Sequence, residues 1–169
     1  MKVCIISTLF SPYNRGGAEI VAKRVADGFL DRGDEVVVIS AQPFAGLRSL
    51  WPRPSPYPLP PGGRGSMARA TVYRFFPFNI WSFFSLAKCP KILRLFWHFF
   101  DMFNFHSFLV VRSILKNEKP DLVMTHNIKG LGYLTPLAIR STGIIHAHTV
   151  HDVQLVEPSG LLFPTSPNP

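Results

Sequence analysis

The sequence predicts an α/β protein built on one open, doubly wound parallel sheet. Three observations predict it. Short apolar runs recur at 3–6, 35–40 and 122–124, as strands buried on both faces do. Segments with apolar residues at helical spacing stand between them, so strand and helix alternate along the chain. The chain also opens with a strand, a Gly-Gly turn and a helix in that order, within MKVCIISTLFSPYNRGGAEIVAKRVADGFLDRGD.

The first strand is Val3, Cys4, Ile5 and Ile6. In the loop 7–15 that follows, Pro12, Tyr13 and Asn14 keep a helix from starting early. After Gly16 and Gly17, the residues Ala18, Val21, Ala22, Val25 and Phe29 share one helical face, and Gly33 suits the left-handed position that ends a helix. Such a turn presents bare backbone N–H groups at a helix N-terminus, where the partial positive charge favours a phosphate. Gly16 and Gly17 are therefore candidates for cradling a phosphate or nucleotide sugar. The competing reading is a tight turn and nothing more, because the full dinucleotide fingerprint is missing. The strand at 35–40, EVVVIS, completes a βαβ unit with the usual right-handed crossover.

From Gln42 the pattern dissolves. Pro43, Pro52, Pro54, Pro56, Pro58, Pro60 and Pro61, followed by Gly62, Gly63 and Gly65, cannot carry a helix or a central strand, so 43–68 is expected to be a mobile surface excursion. ATVYRF at 70–75 returns as a strand near the sheet edge. The uncharged stretch 75–87 falls well short of the ~20 residues that cross a bilayer. Pro90 opens a helix whose Ile92, Leu93, Leu95, Phe96, Phe99, Phe100 and Phe103 form an apolar band beside Lys88, Lys91, Arg94 and His98. The region 75–117 thus reads as an aromatic helical insertion. A basic aromatic segment of this kind suits the surface of an anionic membrane; packing on the core or on a partner domain is the alternative. Phe108, Leu109, Val111, Ile114 and Leu115 continue or restart a helix that stops at Lys119 and Pro120. A strand at 122–124, the loop THNIKGLG, a helix through Leu134, Leu137, Ala138 and Ile139, and a strand at 144–149 complete the alternation.

At 169 residues the chain is one domain, 1–169, with room for a real core. Its net charge of +8 favours anions such as phosphate groups or anionic lipid. Nucleic-acid binding would rest on that charge alone, since no stacking platform or helix-turn-helix pattern is visible. Cys4 and Cys89 have neither redox nor metal spacing and the N-terminus does not read as a signal peptide, so a cytoplasmic protein is expected, with peripheral contact to the inner face of the membrane as the further reading of the aromatic segment.

In a doubly wound sheet, ligands sit at the carboxyl ends of the strands. His126 follows one strand and His151, with Asp152, follows the next, on the same rim as Gly16 and Gly17. A histidine there can donate to an anionic leaving group or to a sugar hydroxyl, and Asp152 can fix a sugar hydroxyl or a histidine tautomer. His146, His148 and His151 invite a zinc reading, but His151 points the other way unless the strand has ended and no cysteine or clear supporting acid completes the set, so no metal is expected. His146 and His148 read instead as hydrogen-bonded structural histidines.

The words SPYNRGGAEIVAKRVADGFLDRGDEVVVIS, KPDLVMTHNIKGL and HTVHDVQLVEPSGLLF, in this order and separation, resemble the N-terminal domain of family 4 glycosyltransferases, retaining enzymes of the two-domain GT-B type. The resemblance implies a Rossmann-like domain, one half of a GT-B fold. It implies a nucleotide diphosphate sugar as donor, a glycan, lipid or small-molecule acceptor, and no metal or other cofactor. It places Gly16 and Gly17 by the donor diphosphate, His126 by the reacting sugar as the catalytic residue, and Asn127, His151 and Asp152 along the substrate cleft. In that family a second Rossmann-like domain with a paired-glutamate motif would begin where this chain stops at Pro169. The expectation is an incomplete enzyme, inactive alone. The alternatives are a non-catalytic subunit that completes its cleft with a separate C-terminal half, and an unrelated Rossmann-type nucleotide-binding protein. The second of these would want a third glycine in the turn and an acid where Ser40, Ala41 and Gln42 stand.

Overall fold

In the computed structural model, which describes residues 1–13, 16–56, 70–79, 84, 86 and 90–151, the expected alternation is present. The elements are β1 (Lys2–Ile6), α1 (Gly17–Asp31), β2 (Glu35–Ala41), a 3-10 turn (Leu47–Leu50), β3 (Arg53–Pro56), β4 (Ala70–Phe75), α2 (Lys91–Met102), α3 (Phe105–Glu118), β5 (Leu122–Thr125), α4 (Thr135–Arg140) and β6 (Ile145–His148). All six strands join one sheet in the order β3-β4-β2-β1-β5-β6. Five run parallel, and β3 lies antiparallel on β4. The strand order reverses at β1, which puts a topological switch point between β1 and β5.

Side chains alternate across each strand, and that period of two sorts the apolar runs into two cores. Val3 and Ile5 of β1, with Val36, Val38 and Val72, meet Ala22, Ala26 and Leu30 of α1 on one face. Cys4 and Ile6, with Val37, Ile39, Phe75 and Val123, meet Val110, Val111, Ile114 and Leu115 of α3 and Ala138 and Ile139 of α4 on the other. Helices on both faces explain why β1 and β2 read as unbroken apolar runs. Cys4 lies inside this core as a free thiol, its pKa raised by burial and by the carboxylate of Glu118.

The proline-rich stretch departs from expectation. Rather than forming a wholly irregular excursion, it supplies the outer strand β3, with Pro54 opposite Tyr73 and Pro56 opposite Thr71. Proline is tolerated at a sheet border, where its missing N–H faces away from the ladder. Arg74 Nη1 donates to Ser55 Oγ at 2.8 Å, and Ser55 Oγ donates to the Val72 carbonyl at 3.1 Å, which fixes the pairing. β4 is consequently the next strand in, adjoining the edge as its alternation suggests. The part of the excursion at 57–68 lies outside the described residues.

The aromatic region divides in two. α2 ends at Phe103 and α3 begins after Asn104, whose Oδ1 accepts from the Ser107 N–H at 2.9 Å as a helix cap. α3 is a core helix that carries the crossover from β4 to β5. α2 buries Trp97 and leaves Leu93, Phe96, Phe99 and Phe100 exposed. Among the described residues no helix is long and apolar enough to cross a membrane.

Candidate functional site

Parallel strands end on the same side, so the register decides which side chains meet at the rim. Ile6 of β1 stands beside Thr125 of β5, and Thr125 beside His148 of β6. Backbone bonds stitch the outgoing segments together just past those ends: His126 N–H to the Ile6 carbonyl at 2.9 Å, Thr8 N–H to the Asn127 carbonyl at 2.7 Å and Thr149 N–H to the Thr125 carbonyl at 2.8 Å. α1, headed by Gly16 and Gly17, follows the connection that leaves β1 from this rim.

His126 is only 1% exposed. Its Nδ1 lies 2.8 Å from Nε2 of His151, and the two rings stack with centroids 5.1 Å apart. One of these nitrogens donates and the other accepts, according to tautomer. Burial, helped by the nearby His151 and His148, pushes the pKa of His126 down to about 4, so the ring is neutral near pH 7. Among the described residues its Nε2 has no hydrogen-bond partner, and neither do the buried hydroxyls of Ser7 and Thr8. These three atoms sit on the neighbouring segments that leave β1 and β5, and a hydroxyl or phosphate oxygen has the chemistry to complete their bonding.

A second histidine group lies next to it. Thr125 Oγ1 is 2.8 Å from His146 Nε2 and 2.8 Å from His148 Nδ1. A hydroxyl carries one proton, so it donates to one ring and accepts from the other. Burial, with His148 as the lesser cause, lowers the pKa of His146. His146 and His148 are thus each hydrogen-bonded to Thr125, as expected of structural histidines. Among the described residues no three His, Cys, Asp or Glu side chains gather as a metal ion would need.

The Gly-Gly turn is less open than its sequence implies. Gly16 N–H donates to Glu19 Oε2 at 2.7 Å, and Glu19 is 4% exposed, so the helix supplies its own anion to that donor. Gly16 has an extended backbone, φ −151°, which any residue adopts. A Cβ on Gly17 would meet nothing within 4 Å. Neither glycine is demanded by the fold, and the N–H groups of the first turn beyond Gly16 have no partner within the helix.

Asn127 is partly committed, since its Oδ1 accepts from the Lys129 N–H at 3.0 Å. Asp152 lies outside the described residues. The structure therefore brings His126 and His151 into direct contact and joins Asn127 to the β1 connection. The unpartnered hydroxyls of Ser7 and Thr8 come beside the His126 segment through β1–β5 register, which leaves no mark in the sequence. A cavity of about 380 Å³ lies at the opposite rim, lined by Arg112, Lys116, Lys119 and Thr142 among others, and touches none of these residues.

No known protein family's profile matches the chain. It is 24% identical over 164 residues to an uncharacterized 42.6 kDa protein in the cps region of Klebsiella pneumoniae, an alignment that covers 96% of this chain and 40% of that protein. The chain thus spans well under half the length of this relative. Among solved structures it is similar to the C-terminal domain of a hydrogenase from Pyrococcus furiosus, with 14% identity, a TM-score of 0.45, and coverage of 88% of this chain and 90% of that one.

Proposed function

We propose that the chain is the N-terminal, acceptor-side domain of a retaining glycosyltransferase of the GT-B type, which moves a sugar from a nucleotide diphosphate donor to an acceptor. One observation carries this reading: a neutral, buried imidazole, His126, stands at the switch point of a doubly wound sheet with one ring nitrogen bonded to His151 and the other unpartnered. The relative in a cps region adds a capsule-polysaccharide setting, in which sugar transfer is a central chemistry.

In this reaction the bond from the anomeric carbon to the diphosphate oxygen breaks, the acceptor hydroxyl oxygen bonds that carbon on the same face, and the hydroxyl proton leaves with the diphosphate. The largest electrostatic task is to stabilise the departing diphosphate. N–H groups of the first turn of α1, reached past Gly16 and Gly17, face the diphosphate. His126 Nε2 meets the donor sugar in a site shielded from water, and His151 fixes its tautomer through Nδ1. Asn127, His151 and Asp152 contact substrate. The reading calls for no metal. A second Rossmann-like domain, in the same polypeptide or a separate subunit, supplies the remaining nucleotide contacts, so 169 residues alone form half a cleft. The exposed aromatic side chains of α2, on a protein of net charge +8, suit peripheral contact with an anionic membrane surface.

Chemical-shift mapping tests the assignment. A nucleoside diphosphate, then nucleotide diphosphate sugars, titrated to millimolar concentration should move the amides of residues 16–19, 126, 127 and 151, with no sugar transferred. Shifts confined to the Arg112–Lys116 rim would overturn it. Turnover by the 169-residue chain that His126→Ala abolishes would overturn the inactivity of the single domain.

A further inference from the structure

We infer that Asp101 is a positioning residue for the His126 loop: it anchors the segment that returns from the rim to the corner between α2 and α3. The inference rests on taking the rim as the reactive site. Asp101 lies in the last turn of α2, next to exposed Phe100 and Met102, yet it is 0% exposed itself. Its Oδ2 accepts from the Gly130 N–H at 3.0 Å, and its main-chain carbonyl accepts from the Tyr133 N–H at 3.3 Å. One residue therefore holds the loop at two points.

Between those points the loop lies flat on the corner. Gly132 has φ +97°, and a Cβ there would stand 2.8 Å from Asn104 Cβ and 3.1 Å from the Asp101 carbonyl. Asn104 cannot easily give way, because its Oδ1 caps α3 and its Nδ2 donates to the Phe78 carbonyl at 3.1 Å. Leu131, fully buried, pins the loop to the sheet core. At the other end, Thr8 and Ile6 hold the backbone of Asn127 and His126. The loop is thus fixed at the rim on one side and by Asp101 on the other, with Asn127 Oδ1 bracing Lys129 between them.

A buried carboxyl is an expensive way to fill space, and an apolar side chain would suit the packing alone better. What the carboxyl adds is a directed acceptor for a loop N–H that would otherwise be buried unpaired. Burial raises its pKa to about 7, while the Gly130 N–H and the nearby Lys129 pull it back.

Imidazole and amide NMR of the 169-residue chain, with no nucleotide sugar present, separates this inference from the proposed function. In Asp101→Ala, exchange at Gly130 and Leu131 should quicken about ten-fold relative to β1 amides. The apparent pKa of His126 should climb from about 4 toward 6.5 as its ring reaches water. Asp101→Asn, which keeps an oxygen acceptor, should restore both. Val110→Ala, a core change on α3, should lower stability and leave the His126 signals in place. Unchanged His126 signals in Asp101→Ala, or equal changes in Val110→Ala, would overturn the inference. If Asp101→Ala does not fold, unaltered protein still decides: loop-like exchange at Gly130 and Leu131, far faster than in β1, overturns it without any variant.

Discussion

The head of α1 and the end of β5 share a rim and are built in opposite ways. At α1, Glu19 already occupies the Gly16 N–H, and open space surrounds the position a Gly17 side chain would take. At β5, backbone bonds tie His126 and Asn127 to the β1 segment, and among the described residues the side-chain atom His126 Nε2 is left without a partner. Backbone donors come free with any helix start, whereas a buried neutral imidazole exists only because its surroundings hold it. The first region should therefore tolerate change and the second should not.

The largest contrast is expected between two glycines. Gly132→Ala forces a left-handed residue against Asn104 and Asp101, and should cost about 2–4 kcal/mol in urea unfolding. A loss below about 1 kcal/mol would show that the β5 loop yields.

The next effect is in pH dependence. His126 has its folded pKa lowered to about 4 from 6.5, so its share of stability is complete above pH 6.5 and lost as pH falls toward 4. Asp101 has its folded pKa raised from 3.8 to about 7, so its share is complete below 3.8 and lost as pH rises through 7. Each contribution is on the order of 3–4 kcal/mol, and they oppose each other. Asp101→Asn should make stability rise more steeply between pH 4 and 6.5, and His126→Phe should tilt it the other way. Parallel pH profiles for all three proteins would place neither group in the buried setting described.

Thr125→Val removes the hydroxyl that bridges His146 and His148, and should cost about 1–2 kcal/mol while shifting both rings' NMR signals. Smallest of all, Gly17→Ala should change stability by no more than about 0.5 kcal/mol. If it nonetheless weakens nucleoside diphosphate binding, Gly17 serves a ligand and not the fold.

The strands at 3–6, 35–40 and 122–124 were legible because burial on two faces writes itself into local composition, and 70–75 because apolar and polar residues alternate along it. β3 was not, because proline argues against a strand unless its edge position is known, and edge position is a property of the whole sheet. The start of α3 had a signal in Asn104, a cap three residues before Ser107, that the surrounding aromatic residues obscured. His126 and His151 could be placed on one rim from strand order, but their hydrogen bond depends on how far each chain travels after its strand. Asp101 carries no local signature at all: an acid in an aromatic amphipathic helix reads as a solvated residue until the loop that covers it is seen.

Among the described residues the two outermost strands of the sheet also differ. β3 is four residues long and bears Pro54 and Pro56, whereas β6 leaves Ile145 71% exposed. A proline-bearing border offers an incoming strand few N–H groups to pair with, so a second copy of this chain gains little by extending the sheet on the β3 side.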